Sequence, residues 1–494
     1  MYDIKNAFLE RFIPLSDNVH GPFRMMPPEL LHTSGSGLII YMFESLRVQL
    51  GGGIDRDTID QDHVTVNTII RRQSERDFPR ASMRNGLIDG TKCQSSERKG
   101  NLFRLLCIAH RSKARRVLQK SLRLSDIQYK KFLSFLMSYL AMEEWLHASN
   151  DKEEVNNARE NIANVLLAMQ KFFPRSDHTN GYKLPKMHGM TKMQSYIKQF
   201  GSGINFFGGP GEAAHKTFVK AAGLKTQPRA PEFAQQTAHQ YYNYLISNNV
   251  MQRLSDWSSK LTQVGSEYRT RDSDSENDDN MVLDIHLSGQ YEITITNETI
   301  DEMRTYLQCP VFWLTDNAKK STAETYRLDA ELIQCILTRI DDTVGITNKI
   351  IGYTRAIIKS PFSDEKNIYY SHLLYKGEPW YDWALVHFKE IDTHGAIVKN
   401  YYPSRLLGFI TINGSNEAVV QCALEPLEWD DLQKKFVLEI ILGKEYNVSF
   451  VTVPIKSIAH PLCVIPDDGD DIDKYFVFLP KRNWSHFFGD TIIT

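Results

Sequence analysis

Two short stretches of this 494-residue chain combine acids, histidines and glycines in ways that suit chemistry on phosphates or metals. The first reads Met25-Met-Pro-Pro-Glu-Leu-Leu-His-Thr-Ser-Gly-Ser-Gly37 and runs straight into an apolar segment. Pro27-Pro28 fixes an extended entry, and Glu29 and His32, three residues apart, share a face once the chain turns helical. The second is Phe200-Gly-Ser-Gly-Ile-Asn-Phe-Phe-Gly-Gly-Pro-Gly-Glu-Ala-Ala-His-Lys216, a glycine-rich loop with a helix expected from Glu212. Helical spacing there groups Glu212, His215 and Lys216. Carboxylates are the oxygen ligands that a hard divalent cation prefers. A glycine-rich loop lets backbone approach a bulky polyanion, and a helix N-terminus favours negative charge. Both stretches also have a plainer reading. Glu29 and Glu212 suit the first turn of a helix without any metal, and the glycines suit tight turns. The loop fits neither the Walker A nor the dinucleotide fingerprint.

Cations surround these stretches. Lys183, Lys186, Lys192 and Lys198, interleaved with Tyr182, Tyr196 and Phe200, precede the loop, and Lys216, Lys220, Lys225 and Arg229 follow it. Further basic clusters hold Arg71, Arg72, Arg80 and Arg84, and Arg111 to Arg116. Over residues 1–260 there are 36 Lys and Arg against 24 Asp and Glu, so the overall net charge of -2 hides a basic half followed by an acidic one. Such a half attracts polyanions, nucleic acid foremost. Arg71, Arg72, Arg80, Lys186, Lys192, Lys198, Lys216 and Lys220 are the candidate nucleic-acid contacts. The alternative for all of them is a solvated helix face with local salt bridges.

The elements that must position these residues change character along the chain. Ser125 and Gln128 form a capping-box pattern before a helix carrying Phe132, Phe135, Leu136, Tyr139 and Leu140. Val155, Ala158, Ile162, Val165, Leu166, Met169 and Phe173 mark a second amphipathic helix that Pro174 closes. Shorter helices are expected at 36–50, 101–110 and 113–123. Residues 266–280 are polar and acidic and read as a linker. Beyond them the period shifts towards two, at 386–388, 406–412 and 447–453, with a turn at Asn413-Gly414 and one helix expected from Asp329 to Ile340. Short strands with such turns suggest a barrel or sandwich. Trp380-Tyr-Asp-Trp383 and Tyr401-Tyr402 are aromatic clusters that suit a methyl-lysine cage or ordinary packing.

Length and composition set outer limits. A chain this long calls for more than one core, and 42% hydrophobic with 24% charged residues excludes a wholly disordered chain. No apolar run approaches the ~20 residues of a membrane helix, and the N-terminus lacks a basic-then-apolar secretory pattern. Neither a membrane association nor secretion is expected. Six scattered cysteines with no Cys-x-x-Cys pair argue against a thiolate zinc site and a disulfide framework.

Taken together, Pro-Glu-Leu-Leu-His (28–32) and Phe200-Gly with Gly211-Glu-Ala-Ala-His215 resemble elements of Plavaka-type transposases, relatives of the CACTA and Kyakuja-Dileera-Zisupton groups. The resemblance spans approximately residues 15–230 and rests on order and spacing. It implies a ribonuclease H-like catalytic core interrupted by a helical insertion, with an Asp-Asp-Glu set holding two Mg²⁺ or Mn²⁺ ions for DNA strand cleavage and transfer. Glu29 falls on the second carboxylate, where the family usually has Asp, and Glu212 on the third. His32 and His215 fall on the accompanying histidines, so these four are the implied catalytic residues and the two acids the implied metal ligands. The first Asp has no counterpart, because too few residues precede Glu29 to supply the opening strands. The segment 380–490 faintly resembles bromo-adjacent-homology barrels of chromatin proteins.

The expected fold class is therefore α+β: an incomplete ribonuclease H-like core with a large all-helical insertion, then a separate mainly-β, barrel-like domain. Expected boundaries are 1–35 for the core remnant, 36–180 for the insertion and 181–260 for the end of the core. Residues 261–282 form the linker and 283–494 the β-rich domain. The expected function is that of the C-terminal part of a transposase in the nucleus, binding DNA and able to form a homo-oligomer, with a histone or other nuclear protein as partner of the β-rich domain. Two alternatives stay open: a non-enzymatic nuclear DNA or chromatin interaction protein, and a metal-dependent hydrolase.

Overall fold

The computed structural model of the chain describes residues 30–73, 87, 93, 95–148, 152–175, 178–208, 232–267, 285–294, 309–313, 323–326, 349–359, 366–375, 378–391, 395, 397–412, 414–427, 435–444, 449–469 and 473–478. Among the described residues nine α-helices come first: α1 (Ile39–Leu50), α2 (Ile54–Arg72), α3 (Ser95–His110), α4 (Ser112–Ser121), α5 (Asp126–His147), α6 (Lys152–Phe172), α7 (Pro185–Thr191), α8 (Met193–Phe200) and α9 (Phe233–Glu267). A π-helical segment, Leu31–Leu38, leads into α1. Thirteen strands follow among the described residues, including β1 (His286–Thr294), β2 (Cys309–Trp313), β3 (Ala323–Tyr326), β4 (Lys349–Lys359), β5 (Lys366–Tyr375), β6 (Glu378–Tyr381), β7 (Trp383–Ile391) and β8 (Ile397–Ile412). The last five are β9 (Ser415–Cys422), β10 (Val437–Ile441), β11 (Phe450–Pro454), β12 (Ile458–Pro466) and β13 (Lys474–Phe478). The molecule is thus α+β.

The expected capping box exists. The Ser125 hydroxyl accepts from the Gln128 amide, and the Gln128 side chain accepts from the Ser125 amide. It opens α5, whose Phe132 and Phe135 meet Phe172 and Phe173 at the end of α6 with ring centroids 5.5–5.9 Å apart. α3 is buried along its whole second half, from Leu102 to Ala109, which makes it the centre of the helical layer. The helix expected from Asp329 to Ile340 and the one from Glu212 lie outside the described residues.

The strands form one antiparallel sheet along the path β10-β13-β12-β7-β8-β4-β1-β2-β3, with β9 and β11 branching from β8 and β5 and β6 from β4. Sixteen-residue β8 is the hub. It pairs with β7 over its first half, and with β9 and β4 over its second. Its inward residues Leu406 and Phe409 join Val386, Ala356, Tyr369, Ala418 and Val420 in the sheet's core. Among the described residues the path has two free ends, so the sheet is open. The expected barrel-like domain is therefore not confirmed among the described residues: short strands with glycine turns look the same in sequence whether or not the last meets the first. Among the described residues no strand precedes His286, so the sheet of a ribonuclease H-like core is not seen around residues 30–260.

The β-rich segment is also not separate from the helices. Residues 32–205 and 283–494 cluster into one compact unit, while 206–282 belong to a second. The Gln73 carboxamide pairs with the backbone of Val464 in both directions, donating at 2.7 Å and accepting at 2.8 Å, in the manner of an extra strand residue. Phe103 and His110 of α3 pack on Phe476 and Phe478 at 5.4–5.7 Å. Burial pushes the His110 imidazole down to about 4, so it stays neutral, its Nδ1–H donating to the Leu106 carbonyl. An acidic stretch between two segments says nothing of the contacts they make elsewhere in the chain.

Candidate nucleic-acid interface

α4 is the most sharply two-sided helix near this joint. Ala114 and Leu118 are buried, whereas Lys113, Arg116 and Lys120, at i, i+3 and i+7, are exposed along the opposite stripe. The turn after it adds exposed Arg123, and the first turns of α5 add exposed Lys130 and half-buried Lys131. Residues 111–131 contain eight Lys and Arg and one acid, Asp126. That acid is used locally: it takes Arg115 at 3.1 Å and Gln119 at 2.9 Å, and these bonds hold it below its ordinary range. Lys120 reaches Asp55 at 3.6 Å, while Arg116, Arg123 and Lys130 make no ion pair with any acid among the described residues.

Both ends of α4 are fixed by identifiable contacts. At its N-terminus the β12–β13 turn supplies two carboxylates. Asp467 accepts from the Ser112 amide and hydroxyl, both at 2.8 Å, and Asp468 accepts from the Lys113 amide at 2.9 Å. Burial opposes ionisation of Asp467, and the Ser112 bonds outweigh it, so the carboxyl stays below its usual range. Two anions at a helix N-terminus also complement the helix dipole. At the C-terminus Leu124 N–H donates to the Gln119 carbonyl at 2.9 Å and Arg123 N–H to that of Lys120 at 3.2 Å, the paired bonds of a Schellman cap.

That cap puts Arg123 at φ 53°, the only positive φ of a non-glycine residue among those described. Glycine is the residue that adopts this conformation without cost, so an arginine here keeps a charge at the expense of about 1 kcal/mol. Arg123→Gly is expected to raise stability by about that amount while weakening binding to any polyanion. Thermal unfolding and a binding titration read the two together, and a variant that is neither more stable nor weaker-binding contradicts this account of the residue.

The residues singled out from sequence fare unevenly. Glu29, Glu212, His215, Arg80, Lys216 and Lys220 lie outside the described residues, as does the side chain of Arg72. His32 is exposed on the π-helical segment, Arg71 is exposed near the end of α2, and Lys192 and Lys198 are exposed on or beside α8. Lys186 is half-buried instead: its ammonium sits 5.8 Å from the Tyr41 ring, whose other neighbour is the Arg175 guanidinium at 4.1 Å. Its stem crosses Gly37, where a Cβ would lie 2.7 Å from Lys186 Cδ. The same Cβ would lie 2.6 Å from the His32 backbone oxygen, which cannot move aside, so local packing explains the glycine without a ligand. Ser34 donates to the Glu143 carboxylate and bonds the Tyr139 hydroxyl at 3.0 Å, all three buried, which ties the π-helical segment to α5. Burial pushes the Glu143 carboxyl above its ordinary value. Part of the first motif is thus structural.

Among the described residues, no group of three or more His, Cys, Asp or Glu side chains is placed to hold a metal ion. The aromatic cage is not formed around Trp383, which is 5% exposed and packed on Tyr475 at 5.1 Å. Trp380 stacks instead with Tyr370 and His372. No helix among the described residues is long and apolar enough to cross a membrane. No known protein family, curated protein or solved structure matches this chain.

Proposed function

We propose that this chain binds DNA through the phosphate backbone, with Lys113, Arg116, Lys120, Arg123 and Lys130 as the principal contacts. The observation that carries this reading is the exposed, almost acid-free cationic stripe of α4 continued across its cap into α5. Exposed Lys192 and Lys198 are supporting contacts. The transposase resemblance of residues 15–230 agrees with a DNA-directed, nuclear role for a transposable-element-derived protein. In that reading Glu29 and Glu212 would be the residues to hold Mg²⁺ or Mn²⁺.

Phosphate binding has a quantitative signature. Each cation that replaces a condensed counterion contributes about 0.9 to the slope of log affinity against log salt on duplex DNA. Changing Lys113, Arg116 and Lys120 together to Gln should therefore lower that slope by nearly three. It should also weaken binding on the order of 10²–10³-fold near 0.1 M salt, equally for unrelated sequences. A salt series by fluorescence anisotropy reads both. An unchanged slope removes α4 from the interface, and binding of neither protein removes the reading altogether.

A further inference from the structure

Past Val386, strand β7 has only β8 beside it among the described residues, because β12 pairs with β7 no further than that point. Five register pairs, from His387–Tyr401 to Ile391–Ile397, then make a two-stranded ribbon about 17 Å long. β9 and β4 join β8 only from Ser404 onwards, and Leu427 makes a single bridge to Tyr401. Side chains alternate across a strand, so His387 and Lys389 share one face of the ribbon with Lys399 and Tyr401. Lys389 and Lys399 lie directly opposite each other, both exposed, an arrangement that costs stability because like charges meet. A third exposed cation, Lys456, comes from the 3₁₀ turn Ile455–Ser457, and the Ser457 backbone bonds the His387 ring.

Among the described residues no acid pairs with Lys389, Lys399 or Lys456. Glu390, the only acid among the described residues of the ribbon, faces the other side, where it accepts from Asn400 at 2.6 Å and from the Tyr402 hydroxyl at 2.9 Å. Burial first, then Lys399, Lys389 and Lys456, hold the His387 imidazole below its ordinary value, so three ammonium groups act on one ring. Acids outnumber cations beyond residue 260, so a basic composition does not explain the cluster. Scattered surface lysines need no explanation, but cations gathered against their own repulsion, with the nearby acid turned away, complement an anion. A two-stranded ribbon is also narrow enough to enter the major groove of a duplex, from which lysines reach the flanking phosphates. We infer that the ribbon 387–401 is a second DNA-contacting element, with Lys389, Lys399 and Lys456 on backbone phosphates. This role rests on the chain being a DNA binder and is independent of α4.

Salt series on one DNA duplex test it with the full chain, the α4 triple variant and a ribbon variant in which Lys389, Lys399 and Lys456 become Gln. The ribbon variant should lower the slope of log affinity against log salt by nearly three and bind on the order of 10²–10³-fold more weakly near 0.1 M salt. An unchanged slope in the ribbon variant overturns the inference and says nothing against α4. A fall in the ribbon variant alone supports the ribbon and removes α4, whereas a wild type that binds no DNA overturns both. Lys399→Glu gives Lys389 an attractive partner across the ribbon, so it should melt higher than wild type while binding DNA more weakly. Undiminished binding by that variant overturns the inference. Should the ribbon variant misfold, photocrosslinking decides. Ile397, 73% exposed, is on the cationic face and Val398, 37% exposed, on the other. An azidophenacyl label on Ile397→Cys should couple to the duplex well above the same label on Val398→Cys and above the labelled wild type, and equal yields overturn the inference.

Discussion

Arg111→Met is expected to destabilise the unit of helices and sheet by about 3–5 kcal/mol, a large share of what holds a folded unit together. The Arg111 side chain is 8% exposed and lies 3.5 Å from Asp62 on α2 and 3.6 Å from Asp468 in the β12–β13 turn. One cation thus serves two buried acids from opposite sides of the joint. Asp62 stands at about 6, raised chiefly by burial, with Arg111 opposing the rise and Asp468 adding to it. A carboxyl whose folded pKa exceeds its unfolded one contributes most below about pH 4 and loses that contribution as pH rises to about 6. Without the guanidinium the Asp62 carboxyl climbs further, so the penalty in the Met variant should shrink between about pH 7 and about pH 5. Asp62→Asn with Asp468→Asn in the same background should restore part of the loss at neutral pH. Urea unfolding at the two pH values measures all of this. A loss under about 1 kcal/mol at neutral pH, or one that acid does not diminish, would show that Arg111 does not hold the pair.

The same joint explains what was and was not legible in the sequence. The capping box of α5 and the stripe of α6 are local patterns, and both appear where the spacing put them. The docking of helices on the sheet is not local. Gln73 meets Val464 across 391 residues, and Ser112 meets Asp467 across 355, through groups that look unremarkable in their own neighbourhoods. Open and closed sheets differ only in whether edge strands find each other, which strand composition does not encode. In the candidate interface, Arg111 to Arg116 stood out as a cluster, but its most conspicuous member is buried and paired. Lys120, Arg123 and Lys130 stand apart from that cluster in the sequence. The signal that finds them is the i, i+3, i+7 spacing of Lys113, Arg116 and Lys120 together with the near absence of acids from 111 to 131. Gly37 shows the opposite case, a residue whose neighbourhood suggests a ligand loop and whose role is to leave room for the His32 carbonyl and the Lys186 stem.

Asp382 should dominate the pH dependence of the sheet. Its side chain is buried where β6 gives way to β7, and it accepts from the Tyr370 amide at 2.7 Å and from Trp380 Nε1 at 3.0 Å. Burial raises its carboxyl from 3.8 to about 7, and the two bonds, which favour the charged form, offset only part of that rise. Because the folded value exceeds the unfolded one, the group stabilises the fold fully below about pH 4 and progressively less up to about pH 7. A shift of that size corresponds to on the order of 4 kcal/mol across the window. Asp382→Asn cannot ionise, so its difference from wild type should vary with pH. It should be the less stable protein near pH 4, where it faces one N–H donor with its own NH₂, and should recover relative to wild type as pH rises to about 7. Paired urea titrations through this range isolate the residue, because every other acid is common to both proteins. Parallel stability curves would mean that Asp382 is charged throughout, its two hydrogen bonds and nearby solvent having outweighed burial.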